Sequence, residues 1–182
     1  MPGRQPFIPR FWLFTDERMG GMLWHALDAV PRGGGVVFRH YGLPPSERRA
    51  LYAKVARIAR RRRLVLIRAG TSRLGSGESG VHGRAPYRQR GIKSWPAHNR
   101  AQVIAGQRAD ADVIFVSPVF ATRSHPGNRP LGKYRALMLK RGVRCPVIAL
   151  GGMKHRDRQW LGIAGFHGMA GIDLWTRRST DD

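Results

Sequence analysis

The stretch from Val113 to Gly132, VIFVSPVFATRSHPGNRPLG, joins two segments of opposite character. It begins with the apolar run VIFV, which is typical of a short strand buried on both faces. The run ends at Ser117-Pro118 in a polar loop rich in hydroxyl groups, cations and turn-forming residues. The spacing then predicts a helix from about Lys133. We therefore predict one strand–loop–helix unit whose reactive side chains lie at the carboxyl end of the strand.

Short apolar runs elsewhere in the chain predict further strands of the same kind. The predicted strands lie at residues 11–15, 36–40, 64–67, 80–82, 92–98, 146–152 and 168–175. Predicted helices follow most of them. Ser46 and Asn99 are candidate helix caps. Ala101, Ile104 and Ala105 are predicted on one side of the helix after the fifth strand. Tyr134, Leu137 and Met138 mark the helix after the sixth strand, and the helix after the seventh strand contains Trp160, Leu161 and Ala164.

Eight buried strands that mostly alternate with helices predict an α/β protein with a (β/α)8 TIM-barrel fold. The chain has 182 residues, which is short for a fold that usually needs at least ~200. The shortening falls around the third to fifth strands, where residues 70–80 and 83–91 leave little room for helices. We therefore predict one compact barrel domain over residues 1–182, with reduced helices there. A flavodoxin-like open sheet is the alternative.

The charge balance predicts a ligand or partner of negative charge. Thirty-three Lys and Arg against eleven Asp and Glu give a formal net charge of +22. Phosphorylated metabolites, nucleic acid and anionic lipids all match this charge. An arginine-rich composition on solvated faces explains it equally well. The run Arg60–Arg63 closes a predicted helix on the side away from the strand carboxyl ends, which disfavours a nucleic-acid partner.

The remaining composition restricts the class of protein further. No apolar run approaches the ~18 residues of a membrane span, and the N-terminal stretch lacks the apolar core of a signal peptide. We therefore expect a cytoplasmic protein with no membrane partner. The single cysteine, Cys145, excludes an intrachain disulfide and any multi-cysteine metal site.

Several motifs resemble the thiamine phosphate synthase/TenI family. SPVFATRSHPG, PLG and PVIALGGM fit the family's sixth strand, the following loop and the seventh strand. FWLFTD, GVH, PAHN and GMAGID match segments at the first, fourth, fifth and eighth strands. The resemblance spans nearly the whole chain and is specific from about Gly80 onward. It implies a TIM barrel and a function in thiamine biosynthesis.

The resemblance implies a transferase that joins hydroxymethylpyrimidine diphosphate to a thiazole phosphate and releases pyrophosphate. Its implied partners are therefore small phosphorylated heterocyclic substrates. A TenI-like member that binds or isomerises a thiazole phosphate without coupling it is the first alternative. A basic nucleic-acid-binding protein is the second. The sequence leaves the oligomeric state open.

The resemblance also implies particular site residues. The implied catalytic residues are Arg39, Ser124 and His125. The implied substrate and phosphate contacts are Thr122, Gly151, Gly152, Ile172 and Asp173. Arg68 and Arg123 are added to these candidate contacts because they are cations at predicted strand ends. Pro118 stands where the tautomerase branch carries a histidine, which favours a synthase.

The magnesium ion usual in the family lacks matching ligands in this sequence. The family's third-strand Asn-Asp pair appears as Arg68-Ala69, and the later Asp falls near Tyr87. We therefore predict no metal ligand and leave the cofactor open. One hypothesis is that Arg39, Arg68 and Arg123, all at strand ends, supply the missing positive charge.

Three ring side chains at predicted strand ends are weaker candidates. His82 and His98 could face the mouth of the barrel, although single histidines are more often structural. Trp95 could stack on a flat heterocycle.

Overall fold

Eight parallel strands form a closed barrel in which each strand pairs with its sequence neighbours. The computed structural model describes residues 6–84, 90–122, 127 and 129–176. The strands are β1 (Phe11–Phe14), β2 (Gly35–Phe38), β3 (Val65–Ala69), β4 (Gly80–His82), β5 (Ile92–Ala97), β6 (Val113–Val116), β7 (Val147–Leu150) and β8 (Gly168–Gly171). β1 pairs with β8 through Trp12 and Ala170, which closes the ring. The predicted TIM barrel is confirmed, and the open-sheet alternative is wrong.

The helices surround the barrel unevenly. They are α1 (Met22–Ala29), α2 (Pro45–Arg62), α3 (Arg100–Arg108), α4 (Gly132–Lys140) and α5 (Arg158–Ile163), with short 3-10 helices at Glu17–Met19, His155–Asp157 and Asp173–Trp175. Within the described residues, no helix separates β3 from β4 or β4 from β5. The predicted reduction of helices around strands three to five is confirmed.

The strands bury both of their faces, as parallel strands in a barrel do. Trp12, Phe14, Phe115 and Ile148 belong to the cluster inside the barrel. The ring centroids of Trp12 and Phe115 lie 5.3 Å apart, and those of Phe14 and Phe115 lie 5.0 Å apart. Residues of opposite parity, such as Leu13, belong to a second cluster that packs against the helices. Apolar side chains therefore fill the barrel interior.

Of the two predicted helix caps, Asn99 is confirmed and Ser46 is wrong. Asn99 caps α3, and its side chain accepts a hydrogen bond from the Gln102 amide. Ser46 is not a cap, because α2 begins one residue earlier at Pro45 and its N-cap is Pro44. Proline suits the first turn of a helix since its missing N–H needs no partner there.

α3 buries a different side from the predicted one. It buries Val103 and Gly106, whereas Ile104 is 38% accessible. The apolar residues that marked α4 in the sequence are largely exposed, with Tyr134 74% accessible, and α4 buries Ala136 and Leu139. Small residues allow these helices to approach the barrel closely, which the larger apolar residues would prevent.

Trp95 is part of this helix packing and does not face the mouth of the barrel. Its side chain packs against the outer apolar cluster. A Cβ atom on Gly106 of α3 would lie 2.8 Å from the Trp95 ring. The stacking role predicted for Trp95 is therefore wrong, because its ring occupies the layer between β5 and α3.

The arginine run closes α2 at the amino-terminal end of the barrel. Arg60, Arg61 and Arg62 form the last turn, and Arg63 is the C-cap. Arg62 donates a hydrogen bond of 2.8 Å to the Val30 carbonyl at the end of α1. Cations in the last turn of a helix are favoured by the helix dipole.

The described residues include no helix long and apolar enough to cross a membrane.

We predict opposite effects of adding a methyl group to two helical glycines. Gly106→Ala should lower the free energy of unfolding by about 1 kcal/mol, because the methyl group overlaps the Trp95 ring and outweighs the gain in helix propensity. Gly162→Ala in α5 is the matched control, since its Cβ meets nothing within 4 Å. It should raise the free energy of unfolding by up to about 1 kcal/mol. Urea denaturation of both variants measures the difference, and equal effects would contradict this packing.

Candidate functional site

A cavity of about 630 Å³ opens at the carboxyl ends of the strands. This is the end at which barrel enzymes place their active sites. Its wall contains side chains from strands and from the loops that follow them. The lining residues are Phe14, Arg39, Tyr41, His82, Pro96, His98, Ser117, Pro118, Ala121, Thr122, Arg129, Leu131, Leu150, Gly151, Gly152, Met153, Lys154, His155, Gly171, Ile172, Asp173 and Leu174.

Gly151 and Gly152 bring the loop after β7 against the loop after β6. Both have positive φ, at 96° and 63°. A Cβ atom on Gly152 would lie 2.3 Å from the Ala121 carbonyl oxygen, and one on Gly151 would lie 2.9 Å from Pro118. The Phe120 amide donates a hydrogen bond of 3.0 Å to the Gly151 carbonyl. Glycine is therefore required at both positions by conformation and by space.

The segment after β8 forms the neighbouring part of the wall. Ile172 and Asp173 both line the cavity, and Asp173 begins a 3-10 helix. Trp175 fixes this turn, since its indole N–H donates a hydrogen bond of 3.0 Å to the Trp12 carbonyl. Together with the glycine pair, this turn brings backbone of two consecutive loops to one side of the cavity. Such loop backbone is a common binding site for phosphate.

Arg39 reaches the cavity from the loop after β2 and is held in place by partners from the end of β1. Its Nη2 lies 2.6 Å from the Asp16 carboxylate, and its Nε donates to the Thr15 carbonyl at 2.8 Å. Burial lowers the pKa of Arg39, against the effect of the Asp16 charge. Burial acts to raise the pKa of Asp16, but hydrogen bonds from Arg18 and the charges of Arg39 and Arg18 hold that pKa below its ordinary value. Asp16 therefore compensates part of the Arg39 charge.

Arg68 is placed away from the cavity. Its side chain is fully buried, with 0% accessibility, and its Nε lies 2.9 Å from a Glu78 carboxylate oxygen. Its strand neighbours Ile67 and Ala69 belong to the cluster inside the barrel, so Arg68 points outward. The hypothesis that Arg68 replaces metal charge at the mouth requires the opposite orientation.

His82 lies at the inner end of the cavity between aromatic rings. Its ring centroid is 5.2 Å from that of Phe14 and 5.6 Å from that of Phe115, both edge-on. Its Nδ1 lies 2.8 Å from the Ser94 hydroxyl. Burial, with smaller effects of the Arg39 and His98 charges, lowers the pKa of His82 to about 3. The imidazole is therefore neutral at neutral pH.

His98 lines the cavity with a defined tautomer. Its Nδ1 lies 2.7 Å from the Ser117 carbonyl oxygen, which can only accept a hydrogen bond. In the neutral ring, Nδ1 therefore carries the proton and Nε2 carries the lone pair. This arrangement gives the cavity a group able to accept a proton.

The structure brings together six of the candidate site residues and places one elsewhere. Arg39, Thr122, Gly151, Gly152, Ile172 and Asp173 all line the cavity. Arg68 does not. Arg123, Ser124 and His125 lie outside the described residues, so their roles stay predictions. The sequence missed Tyr41, Arg129, Lys154 and His155, which also line the cavity. Lys154 lies two residues after the glycine pair, and this closeness to a recognised motif is the signal by which the sequence could have identified it as a site residue.

The described cavity does not fit a magnesium site. Among the residues that the structure describes, no three His, Cys, Asp or Glu side chains converge as metal ligands. The described wall contains one carboxylate, Asp173, beside Arg39, Arg129 and Lys154. Magnesium requires oxygen ligands, and cationic neighbours repel it. This donor set suits an anion.

Comparison with known proteins identifies the family. The family model described as thiamine monophosphate synthase (TMP-TENI) matches residues 84–174. The chain belongs to this family. The matched segment begins just after β4 and includes the glycine pair and the turn after β8, which are the parts of the wall formed by backbone.

The individual proteins that resemble the chain match it over part of its length or at low sequence identity. One is the "Putative thiamine-phosphate synthase 2" of Aquifex aeolicus, 32% identical over 84 residues, which cover 46% of this chain and 45% of that relative. The match therefore spans less than half of the relative's length. Thiamine phosphate pyrophosphorylase from Pyrococcus furiosus has a similar structure, with a TM-score of 0.76 and 16% identity over 93% of this chain and 88% of that chain. The YdjI aldolase from Escherichia coli K12 is less similar, with a TM-score of 0.51 and 11% identity over 91% of this chain and 74% of that one. At these identities the two structures support the fold alone.

We predict that His82 makes the stability of the protein depend on pH. The pKa of about 3 in the folded state lies below the ordinary value of 6.5, so the unfolded chain binds the proton first. The His82 contribution should be complete above pH 6.5 and fall by about 2 kcal/mol between pH 7.5 and pH 5.0. His82→Gln should remove this loss, whatever its effect on overall stability. Urea denaturation at the two pH values measures it.

His25→Gln is the matched control, because this histidine lies exposed on α1. It should keep the pH dependence of the unsubstituted protein. If His82→Gln also keeps that dependence, the His82 imidazole is not held neutral by burial.

Proposed function

We propose that the chain is a thiamine phosphate synthase-like enzyme of thiamine biosynthesis. It would couple hydroxymethylpyrimidine diphosphate to a thiazole phosphate and release pyrophosphate. The observation that carries this proposal is the wall formed by Gly151, Gly152, Ile172 and Asp173, at the barrel end where ligands bind. Membership of the family supports the same substrate class.

The proposed reaction places two demands on the cavity. The bond between the pyrimidine methylene carbon and the diphosphate oxygen breaks, and its electron pair leaves with pyrophosphate. The thiazole nitrogen then forms the new carbon–nitrogen bond with the methylene carbon. The site must therefore stabilise a departing anion and a transient carbocation. Arg39, Arg129 and Lys154 in the cavity wall would answer the first demand.

The positions of the cavity residues assign some of them to the thiazole phosphate and others to the diphosphate. Thr122 and the glycine pair would hold the thiazole phosphate, with Ile172 and Asp173 completing that side. Arg39, held by Asp16 and Thr15, would act on the diphosphate. Ser124 and His125 lie two and three residues after Thr122 in the sequence and keep their predicted catalytic roles on that ground.

A TenI-like protein that binds or isomerises a thiazole phosphate is the second candidate. Two observations favour it. The described cavity wall has one carboxylate and no group of metal ligands, whereas magnesium is usual in the synthases. His98 also offers a proton acceptor at Nε2, as an isomerisation requires.

Supplying both synthase substrates separates the two candidates. The purified protein should form thiamine phosphate and release pyrophosphate in equal amounts, measured by chromatography and a pyrophosphate assay. Absence of product with and without magnesium ions would overturn the coupling proposal. Binding of the thiazole phosphate without product would then favour the second candidate.

We predict that Thr122→Val weakens binding of the thiazole phosphate. Loss of the hydroxyl removes one hydrogen bond from the phosphate wall, so KM for this substrate should rise about 3- to 10-fold. Thr71→Val is the matched control, since Thr71 is exposed after β3 and does not line the cavity. Initial rates at varied thiazole phosphate measure the effect. An equal KM in all three proteins would exclude Thr122 from the phosphate site.

A further inference from the structure

The cavity wall carries cations on two sides. On the side of β6 and β7 it carries Arg129 and Lys154. On the side of β1, β2 and β4 it carries Phe14, Tyr41 and His82, together with Arg39, whose charge the Asp16 carboxylate compensates in part. An aromatic ring therefore suits one side of the cavity, and a phosphate group suits the other.

Few carboxylates are available to bind a metal ion in this cavity. The sequence contains eleven Asp and Glu residues. All but Asp181 and Asp182 lie in the described part of the chain, and the undescribed internal residues 85–89, 123–126 and 128 include neither Asp nor Glu. Among the described residues, Asp173 is the one carboxylate that lines the cavity.

The nearest other carboxylates already have partners within the fold. Asp16 accepts hydrogen bonds from Arg39 and Arg18, as short as 2.6 Å. Glu17 accepts a hydrogen bond of 2.9 Å from the Gly42 amide. Asp157 accepts one of 2.9 Å from the Lys154 amide. Recruiting any of them to a metal ion would break an existing interaction, and their cationic neighbours would remain.

The side chains opposite the aromatic wall can replace a divalent ion electrostatically. A guanidinium group binds two phosphate oxygens in parallel, and an ammonium group adds a compact charge with three donors. Arg129 and Lys154 come from consecutive loops and line one cavity. One loop follows β6 and the other follows β7, and these two strands are neighbours in the barrel.

We propose that this cavity holds the phosphate or diphosphate group of its ligand directly on Arg129 and Lys154, without a divalent metal ion. The identity of the cavity as the substrate site rests on the proposed function. The inference goes beyond that function by naming the groups that take the place of the metal.

Calorimetric titration with inorganic pyrophosphate, and separately with inorganic phosphate, tests this directly. In EDTA, at least one of the two anions should bind, and added magnesium ions should not tighten the binding. Lys154→Gln and Arg129→Gln should each weaken it about 10-fold. Binding that requires magnesium ions, or no binding of either anion in EDTA, would overturn the proposal.

A matched control separates a specific site from the general attraction of a highly basic protein. Lys133 is the second residue of α4, and its Nζ lies 5.3 Å from the Trp160 ring without lining the cavity. Lys133→Gln removes the same charge and should leave anion affinity within 2-fold of the original. An equal loss in all three variants would assign the binding to net charge and overturn the proposal. Thermal denaturation of each variant checks that the fold is kept.

The outcomes also separate this inference from the proposed function. Anion binding in EDTA without thiamine phosphate formation would support the inference and remove the coupling reaction. Product formed only with magnesium ions, together with no anion binding in EDTA, would support the coupling reaction and overturn the inference.

Discussion

The pairing of β1 with β8 is the constraint on which the rest of the structure depends. It converts a row of parallel strands into a ring, so all their carboxyl ends meet at one rim. The loops that follow β6, β7 and β8 then become neighbours, although Thr122 and Asp173 are far apart in the sequence. A short chain can satisfy this constraint because β4 joins its neighbours through connections without described helices. Closure of the barrel therefore brings together the loops that line the cavity.

The sequence predicted where the strands lie but not which of their residues point into the barrel. Apolar runs located all eight strands, and β4 was predicted residue for residue. Strands buried on both faces show no alternation of polar and apolar residues, however, so nothing in the pattern shows which residues point inward. Arg68 illustrates the consequence, since its position at a strand end was predicted correctly and its direction was not. The buried side of α3 was predicted wrongly because its contact with the barrel includes Gly106, which has no side chain to mark it.

The candidate site was predictable where the backbone forms it. Gly151 and Gly152 are required by backbone conformation and close approach, so the motif is visible in the sequence as a pair of residue types. The cations of the wall are different. Arg129 and Lys154 are two among thirty-three Lys and Arg residues, and only the folded chain separates them from the others. Charge of this kind has no periodicity, so the sequence offers only closeness to a recognised motif, as for Lys154 after the glycine pair.

The short β4 strand gives the cavity a locally weak support. It contributes three residues to the barrel, and its pairing with β3 covers Ile67 to Ala69 only. Because the described residues on either side of β4 form no helix, this part of the barrel is expected to open at a low free energy. His82, at the end of β4, nevertheless reaches the inner end of the cavity. A ligand that contacts His82 would therefore stabilise β4 against local opening. Amide hydrogen exchange in β4 should then be slower when the cavity is occupied than when it is empty.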